Sequence, residues 1–148
     1  MFIKTSQSFE IYHDLVINES LTKVFEAIIE PNHLINWWPL KCTGIPKLGE
    51  SYNFHFSLKY DWFGSVVKFS HNSAFHIKMT QSDTNWNPTT FGFDIEEVNG
   101  SVILKFKHIG WPKCNAEYRQ SSYCWAMLLN GLKNYVEKNV IIPFEERE

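Results

Sequence analysis

Phe91-Gly92-Phe93-Asp94-Ile95-Glu96-Glu97-Val98-Asn99-Gly100-Ser101-Val102-Ile103-Leu104-Lys105-Phe106-Lys107-His108 is the stretch on which the fold turns. Phe91, Phe93 and Ile95 alternate with Gly92, Asp94 and Glu96, a period of two that marks a strand with one wet face. Asn99-Gly100 then reverses the chain, because that pair accepts the positive φ angles of a two-residue hairpin turn. On the second arm Val102, Leu104, Phe106 and His108 share one face, and Lys105 and Lys107 point away from it. The segment is one antiparallel hairpin with an apolar side that needs a cover.

Upstream the same period recurs. Tyr52-Asn53-Phe54-His55-Phe56-Ser57-Leu58 alternates, Val66, Val67 and Phe69 mark another strand, and Phe75, Ile77 and Met79 a further one. His71-Asn72-Ser73 supplies turn chemistry, and the loop 82–88 leads into the hairpin. Further back, Phe9 to Ile17 reads as a first strand. Ser20 then offers an N-cap for a helix whose Leu21, Val24, Phe25, Ile28 and Ile29 form one stripe that Pro31 ends. A short second helix is expected to carry His33, Leu34, Ile35 and Trp37.

Downstream lies the longest helical pattern, Ala116 to Lys138, with Trp125, Leu128, Leu129, Leu132, Tyr135 and Val136 on one stripe. Gly131 inside it costs about 1 kcal/mol against alanine, which a close approach to something packed beneath would offset; a kink or mere drift is the alternative. Asn139 and Pro143 mark its end. This helix is the element long enough to cover the sheet, so the expectation is a single α+β domain over 1–148.

Composition narrows the function. The 148 residues are 44% hydrophobic and include 12 Phe, 6 Trp and 6 Tyr, which is a folded core and not a disordered chain. Fourteen basic residues against sixteen acidic leave a net charge of −2 with no basic stripe, so no nucleic acid is expected as a partner. Three cysteines, Cys42, Cys114 and Cys124, form no C-x-x-C pair and suggest neither a disulfide framework nor a metal site. The start of the chain lacks the apolar core of a signal peptide, and no apolar run reaches the length of a membrane helix. No membrane partner is expected, and a cytoplasmic location is.

The order of elements, together with Ile17-x-x-Ser20-x-x-x-Val24-Phe25-x-Ala27-Ile28 and Pro31-x-x-Leu34-x-x-Trp37-Trp38, resembles the START-like (SRPBCC) superfamily. Gly49 before the sheet, His108-x-Gly110-Trp111 after its last strand and Trp125-x-x-Leu128-x-x-x-Leu132-Lys133-x-Tyr135 carry the likeness on. Within that superfamily the chain is similar to the heat-shock ATPase activator homologues, from about Phe9 to Lys138. One departure is Cys124-Trp125 where the family commonly has Gly-Trp. The resemblance implies a helix-grip fold: a curved antiparallel sheet of about six strands around the C-terminal helix, with two short helices after the first strand. It also implies a hydrophobic cavity between sheet and helix, which some members use for ligands or catalysis. The eukaryotic co-chaperone that names the family carries a further N-terminal chaperone-binding domain. This chain is expected to have no room for one, so a chaperone partner is not the expectation.

The inward faces nominate a cavity lining. Phe54, Phe56, Phe69, Phe75, Met79, Phe91, Phe93 and Phe106 come from the sheet, and Trp125, Leu128 and Leu129 from the helix. Core packing is the alternative for each of them. Trp37, Trp38, Trp86 and Trp111 fall near loops, where a rim or packing role is open. His108 lies in register with the apolar face, either as a ligand-orienting group or general base or as a buried histidine bonded to its surroundings. His13 has an ambiguous register, His55 and His76 read as solvated, and His33 and His71 carry no ligand spacing. No metal or cofactor motif and no phosphate-cradling loop is present in the sequence.

Three readings follow. The chain encloses a small hydrophobic or amphipathic molecule; or it is a cyclase- or hydrolase-like enzyme with His108 as base; or it is a stress-related interaction module with an exposed aromatic patch. A homodimer is compatible with each.

Overall fold

Asn99 and Gly100 both take positive φ, 52° and 81°, in a computed structural model that describes residues 8–83 and 85–147. The segment 1–7, where no signal-peptide core is expected, and Thr84 lie outside the described residues. Around this reversal β6 (Thr90–Val98) and β7 (Ser101–Trp111) pair antiparallel from Val98–Ser101 to Thr90–Ile109. The other strands are β1 (Phe9–Ile17), β2 (Lys41–Gly44), β3 (Ser51–His55), β4 (Asp61–Ser70) and β5 (Ala74–Gln81). They form one sheet in the order β1-β7-β6-β5-β4-β3-β2, with every neighbour antiparallel. Seven strands stand where six are legible, and the added one is the four-residue edge strand β2. Register shifts in β1 and β4 bend those strands.

The helices follow their stripes. In α1 (Leu21–Ile29) the Ser20 side chain accepts from the Lys23 amide at 3.3 Å, and Val24, Phe25, Ala27, Ile28 and Ile29 are buried. Its last carbonyls find side-chain donors: the Trp37 indole reaches Ala27 at 3.0 Å and the Tyr52 hydroxyl reaches Ile29 at 2.6 Å. Pro31 opens α2 (Pro31–Leu34), which is shorter than expected and stops before Trp37. α3 (Ala116–Lys138) is continuous, capped by Asn115 and closed by Asn139 in a left-handed conformation. Gly131 proves to be no close approach, since a Cβ there would stand 3.9 Å from Ile142. A short 3-10 turn, Phe144–Glu146, follows.

The core lies between the sheet, α1 and α3. Trp125 seats on Phe106 with ring centroids 4.4 Å apart, and Leu129, Leu132 and Val136 continue the contact as fully or nearly buried residues. Behind them Phe93 meets Phe106 at 5.4 Å and Trp37 at 6.3 Å. Under the C-terminal half of α3 the interior is therefore occupied by side chains.

Two histidines read as solvated are placed differently. His76 is 5% exposed, because Gly92 opposite it on β6 has no side chain and the imidazole lies over that backbone. A Cβ on Gly92 would stand 2.4 Å from the ring carbons. His76 Nε2 meets the Asp94 carboxylate at 3.1 Å, yet burial outweighs that carboxylate and holds the pKa below its usual value. His55 is half-buried, with Nδ1 3.1 Å from Asp61.

Candidate functional site

The N-terminal half of α3 does not close on the sheet. There a cleft of about 580 Å³ opens between it, the turn between β3 and β4 and the C-terminal segment, while the loop before β6 is joined to α3 by the Asn85 amide donating to Glu117 at 2.6 Å and the Trp86 indole N–H donating to Ser121 Oγ at 3.3 Å. That volume lies within the ~300–1,000 Å³ range of small-molecule sites. Glu117, Gln120, Ser121, Cys124, Trp125 and Leu128 face it from α3 at intervals of three and four, one side of the helix. Opposite stand Phe56, Ser57, Tyr60 and Trp62, with Trp38 and Trp86 between and Phe144, Glu145 and Arg147 at the far end.

Five of these side chains form a closed circuit of rings. Centroid separations are 5.8 Å for Trp38–Phe56, 5.1 Å for Phe56–Trp62 and 4.6 Å for Trp62–Trp86. The circuit continues with 6.0 Å for Trp86–Trp125 and 4.9 Å for Trp125–Trp38. Each spacing falls in the range where edge-to-face and offset ring contacts are favourable. Phe144 extends the wall from Phe56 at 6.5 Å.

Behind the rings runs a buried polar chain. The Trp125 indole N–H, which can only donate, reaches His108 Nδ1 at 3.0 Å. Nδ1 therefore carries the lone pair and Nε2 the proton, which is donated to Thr89 Oγ1 at 2.7 Å. The Thr89 hydroxyl in turn donates to the Trp86 carbonyl. His108 has 0% exposure, and burial pushes its pKa down to about 3. It is an uncharged spacer that holds Trp125 and the segment carrying Trp86. Of the two readings open for His108, the structure supports the buried histidine bonded to its surroundings: the lone pair a base would use already accepts from Trp125, and the side chain is fully buried.

Of the residues nominated as lining, Phe56, Trp125 and Leu128 face the cleft. Phe54 and Phe91 sit one layer behind, 4.8 Å and 5.2 Å from Trp38, and Phe106 supports Trp125. Phe93 packs against Trp37 and Phe106. Phe69 meets Phe25 of α1, Phe75 meets Tyr52, and Met79 and Leu129 are buried in the core. Trp38 and Trp86, placed near loops by the sequence, are cleft walls, whereas Trp37 and Trp111 are core. Sequence reasoning missed Ser57, Tyr60, Trp62, Asp83, Phe144, Glu145 and Arg147. It also missed the polar side of α3, whose Glu117, Gln120, Ser121 and Cys124 continue the apolar stripe at its own spacing. Among the described residues no cluster of His, Cys, Asp and Glu could hold a metal ion, and no helix is long and apolar enough to cross a membrane.

Residues 18–137 match the family model described as Activator of Hsp90 ATPase homolog 1-like protein. The chain belongs to that family. The cleft wall made by Phe144, Glu145 and Arg147 lies beyond the residues this activator-homologue match covers. No curated protein matches the chain. Among solved structures, the Aha1 dimer of Colwellia psychrerythraea superposes with a TM-score of 0.80 at 23% identity, over 88% of this chain and 97% of that one. A protein from Staphylococcus saprophyticus gives 0.76 at 15% identity, over 90% and 96%. CalU16 from Micromonospora echinospora gives 0.72 at 14% identity, over 93% and 82%. At these identities the likeness is one of fold.

Proposed function

We propose that this activator-homologue domain binds a small hydrophobic or amphipathic molecule in the cleft beside the N-terminal half of α3. The observation that carries this reading is an open cleft of about 580 Å³ along which Phe56, Trp62 and Trp86 stand half-buried, backed by Trp38 and Trp125 in ring contact with them. Trp38 and Trp125 are already buried, but Phe56, Trp62 and Trp86 keep part of their ring surface open to the cleft, and an occupant would convert that surface into buried apolar area. The polar chain through His108 and Thr89 supports the reading, since it fixes two of the rings before anything enters. Fixed walls lower the ordering cost of binding.

The enzymatic alternative rested on His108, and the sealed, doubly bonded imidazole gives it no support. Native mass spectrometry of gently purified protein, paired with a thermal-shift panel of lipids and aromatic compounds, tests the binding reading. A bound adduct or a ligand-dependent rise in Tm, abolished in Trp62→Ala, is expected. Absence of both across the panel refutes it.

A further inference from the structure

The cleft has an aromatic wall and a polar wall, and its lining carries more acid than base. Asp83, Glu117 and Glu145 contribute carboxylates, and among the described residues the single cationic side chain lining it is Arg147. Arg147 is already committed. Its Nε donates to the Ile142 carbonyl at 2.8 Å, and one terminal nitrogen to the carbonyls of Trp38 and Pro39 at 3.3 Å each. It ties the C-terminal segment down as a strut, and three carboxylates face one guanidinium across the lining, with Glu117 also accepting from the Asn85 side-chain amide at 2.6 Å.

Asp83 is the clearest case. It is half-buried, and among the described residues its carboxyl makes no ion pair and no side-chain hydrogen bond. Burial, followed by the Glu117 charge, raises its pKa, against a smaller opposing pull from Lys59. Lys59 itself lies with its ammonium over the Tyr60 ring, 5.3 Å from the centroid. The rim thus already holds one ammonium against a ring. Aromatic rings attract cations placed over their faces, and Tyr60, Trp62 and Trp86 all line this part of the cleft.

We propose that the occupant is an organic cation: an apolar, ring-sized body against Phe56, Trp62 and Trp86, carrying an amine or quaternary ammonium head between those rings and the carboxylates of Asp83 and Glu117. This rests on the binding role proposed for the cleft and adds the sign of the ligand's charge. An anionic ligand of the same body would meet a lining with more carboxylates than cations, and a neutral one would gain ring burial alone. Charge complementarity is what separates the three.

Three probes with one body separate them by isothermal titration at low salt: (2-naphthylmethyl)trimethylammonium, 2-naphthylmethanol and 2-naphthoate. The ammonium is expected to bind at least ~10-fold more tightly than the carboxylate and several-fold more tightly than the alcohol. In 0.5 M NaCl, where charges are screened over a few ångströms, the gap should shrink. It should also shrink in the Asp83→Asn/Glu117→Gln variant, with its fold checked by circular dichroism; the salt arm on the unaltered protein stands if that variant misfolds. Equal binding of ammonium and alcohol, or tighter binding of the carboxylate, overturns the charge preference and leaves the aromatic cleft intact. Binding of none of the three overturns this proposal and counts against the cleft's binding role as well.

Discussion

Thr89→Val keeps the shape of a fully buried side chain and removes the oxygen that joins His108 to the Trp86 carbonyl. The carbonyl loses little, because the Thr89 amide also donates to it at 2.6 Å. His108 loses more. Its Nδ1 must go on accepting from Trp125, so the proton stays on Nε2 and faces a methyl group in the interior. An orphaned buried donor costs about 1–3 kcal/mol, and the added apolar contact offsets part of that. At roughly 2–4 °C per kcal/mol for a domain of this size, a net loss of ~2 kcal/mol lowers Tm by about 4–8 °C. Thr89→Ser is the control. It keeps the hydroxyl and drops one methyl, for about 1 kcal/mol. Urea and thermal unfolding of both variants, with near-ultraviolet circular dichroism to report the indole environment, give the comparison. The valine variant is expected to be the less stable of the two and to blur the tryptophan signal. If valine is as stable as serine, the chain from Trp125 through His108 to Thr89 does not hold the cleft walls and the assignment of the Nε2 proton is wrong.

Three further outcomes follow from other sites. His108 stays neutral in the fold while unfolded histidine titrates near pH 6.5, so its contribution is complete above that pH and declines as pH falls toward 3. The slope is about 1.4 kcal/mol per pH unit, with His76 adding in the same direction, and an imidazole resonance of His108 that titrated near pH 6.5 would contradict it. Gly92→Ala drives a methyl into the His76 ring, 2.4 Å away, and should cost about 1–3 kcal/mol in urea unfolding; wild-type stability would mean the imidazole does not lie there. Gly131→Ala fits without a clash, its Cβ standing 3.9 Å from Ile142, and should raise stability by about 0.5–1 kcal/mol; a drop in Tm would reveal a close approach that the structure lacks.

The fold was legible because its periods are unmixed. Asn99-Gly100 sets the hairpin register, the α3 stripe has a single direction, and Ser20 and Pro31 delimit α1. β2 was not legible, since Lys41-Cys42-Thr43-Gly44 is four residues long and pairs only with β3 at the sheet edge. The site was harder to read than the fold. A period of two tells which face of a strand points inward but not how far along that strand the helix above covers it. Phe54 and Phe56 are two residues apart on one face; Phe54 is sealed under Trp38, and Phe56 opens to the cleft. Asp83 and Arg147 come from segments without periodicity, and no local pattern places them beside α3. A usable signal did exist on that helix. The spacing that gives Trp125, Leu129 and Leu132 continues back through Cys124, Ser121, Gln120 and Glu117 while its chemistry turns polar. A buried face must stay apolar, so a stripe that changes character at constant spacing marks where covering stops.

That change explains why the cleft lies where it does. Over its C-terminal half, α3 lowers Leu129, Leu132 and Val136 onto the sheet and α1, and the space is filled. Over its N-terminal half the next turns offer hydroxyl, thiol, amide and carboxylate groups, which gain nothing by leaving water without partners. The sheet opposite still presents Phe56 and Trp62, rings too large to be covered by such groups. Ser121 and Glu117 find donors in the Trp86 indole and the Asn85 amide, and closing the helix further would take the remaining polar surface out of water, so the two surfaces stay apart. Trp38, Trp86 and Trp125 line the gap, held from behind by hydrogen bonds and packing. The opening is thus set by a mismatch between a polar helix turn and an aromatic sheet edge, and an amphipathic guest resolves that mismatch from both sides. Replacing Gln120 by leucine, with Ser121 kept as acceptor for the Trp86 indole, should let the helix close on Phe56 and Trp62, raising Tm while weakening probe binding. If the variant gains no stability and still binds the naphthyl ammonium as tightly, some other constraint holds the cleft open.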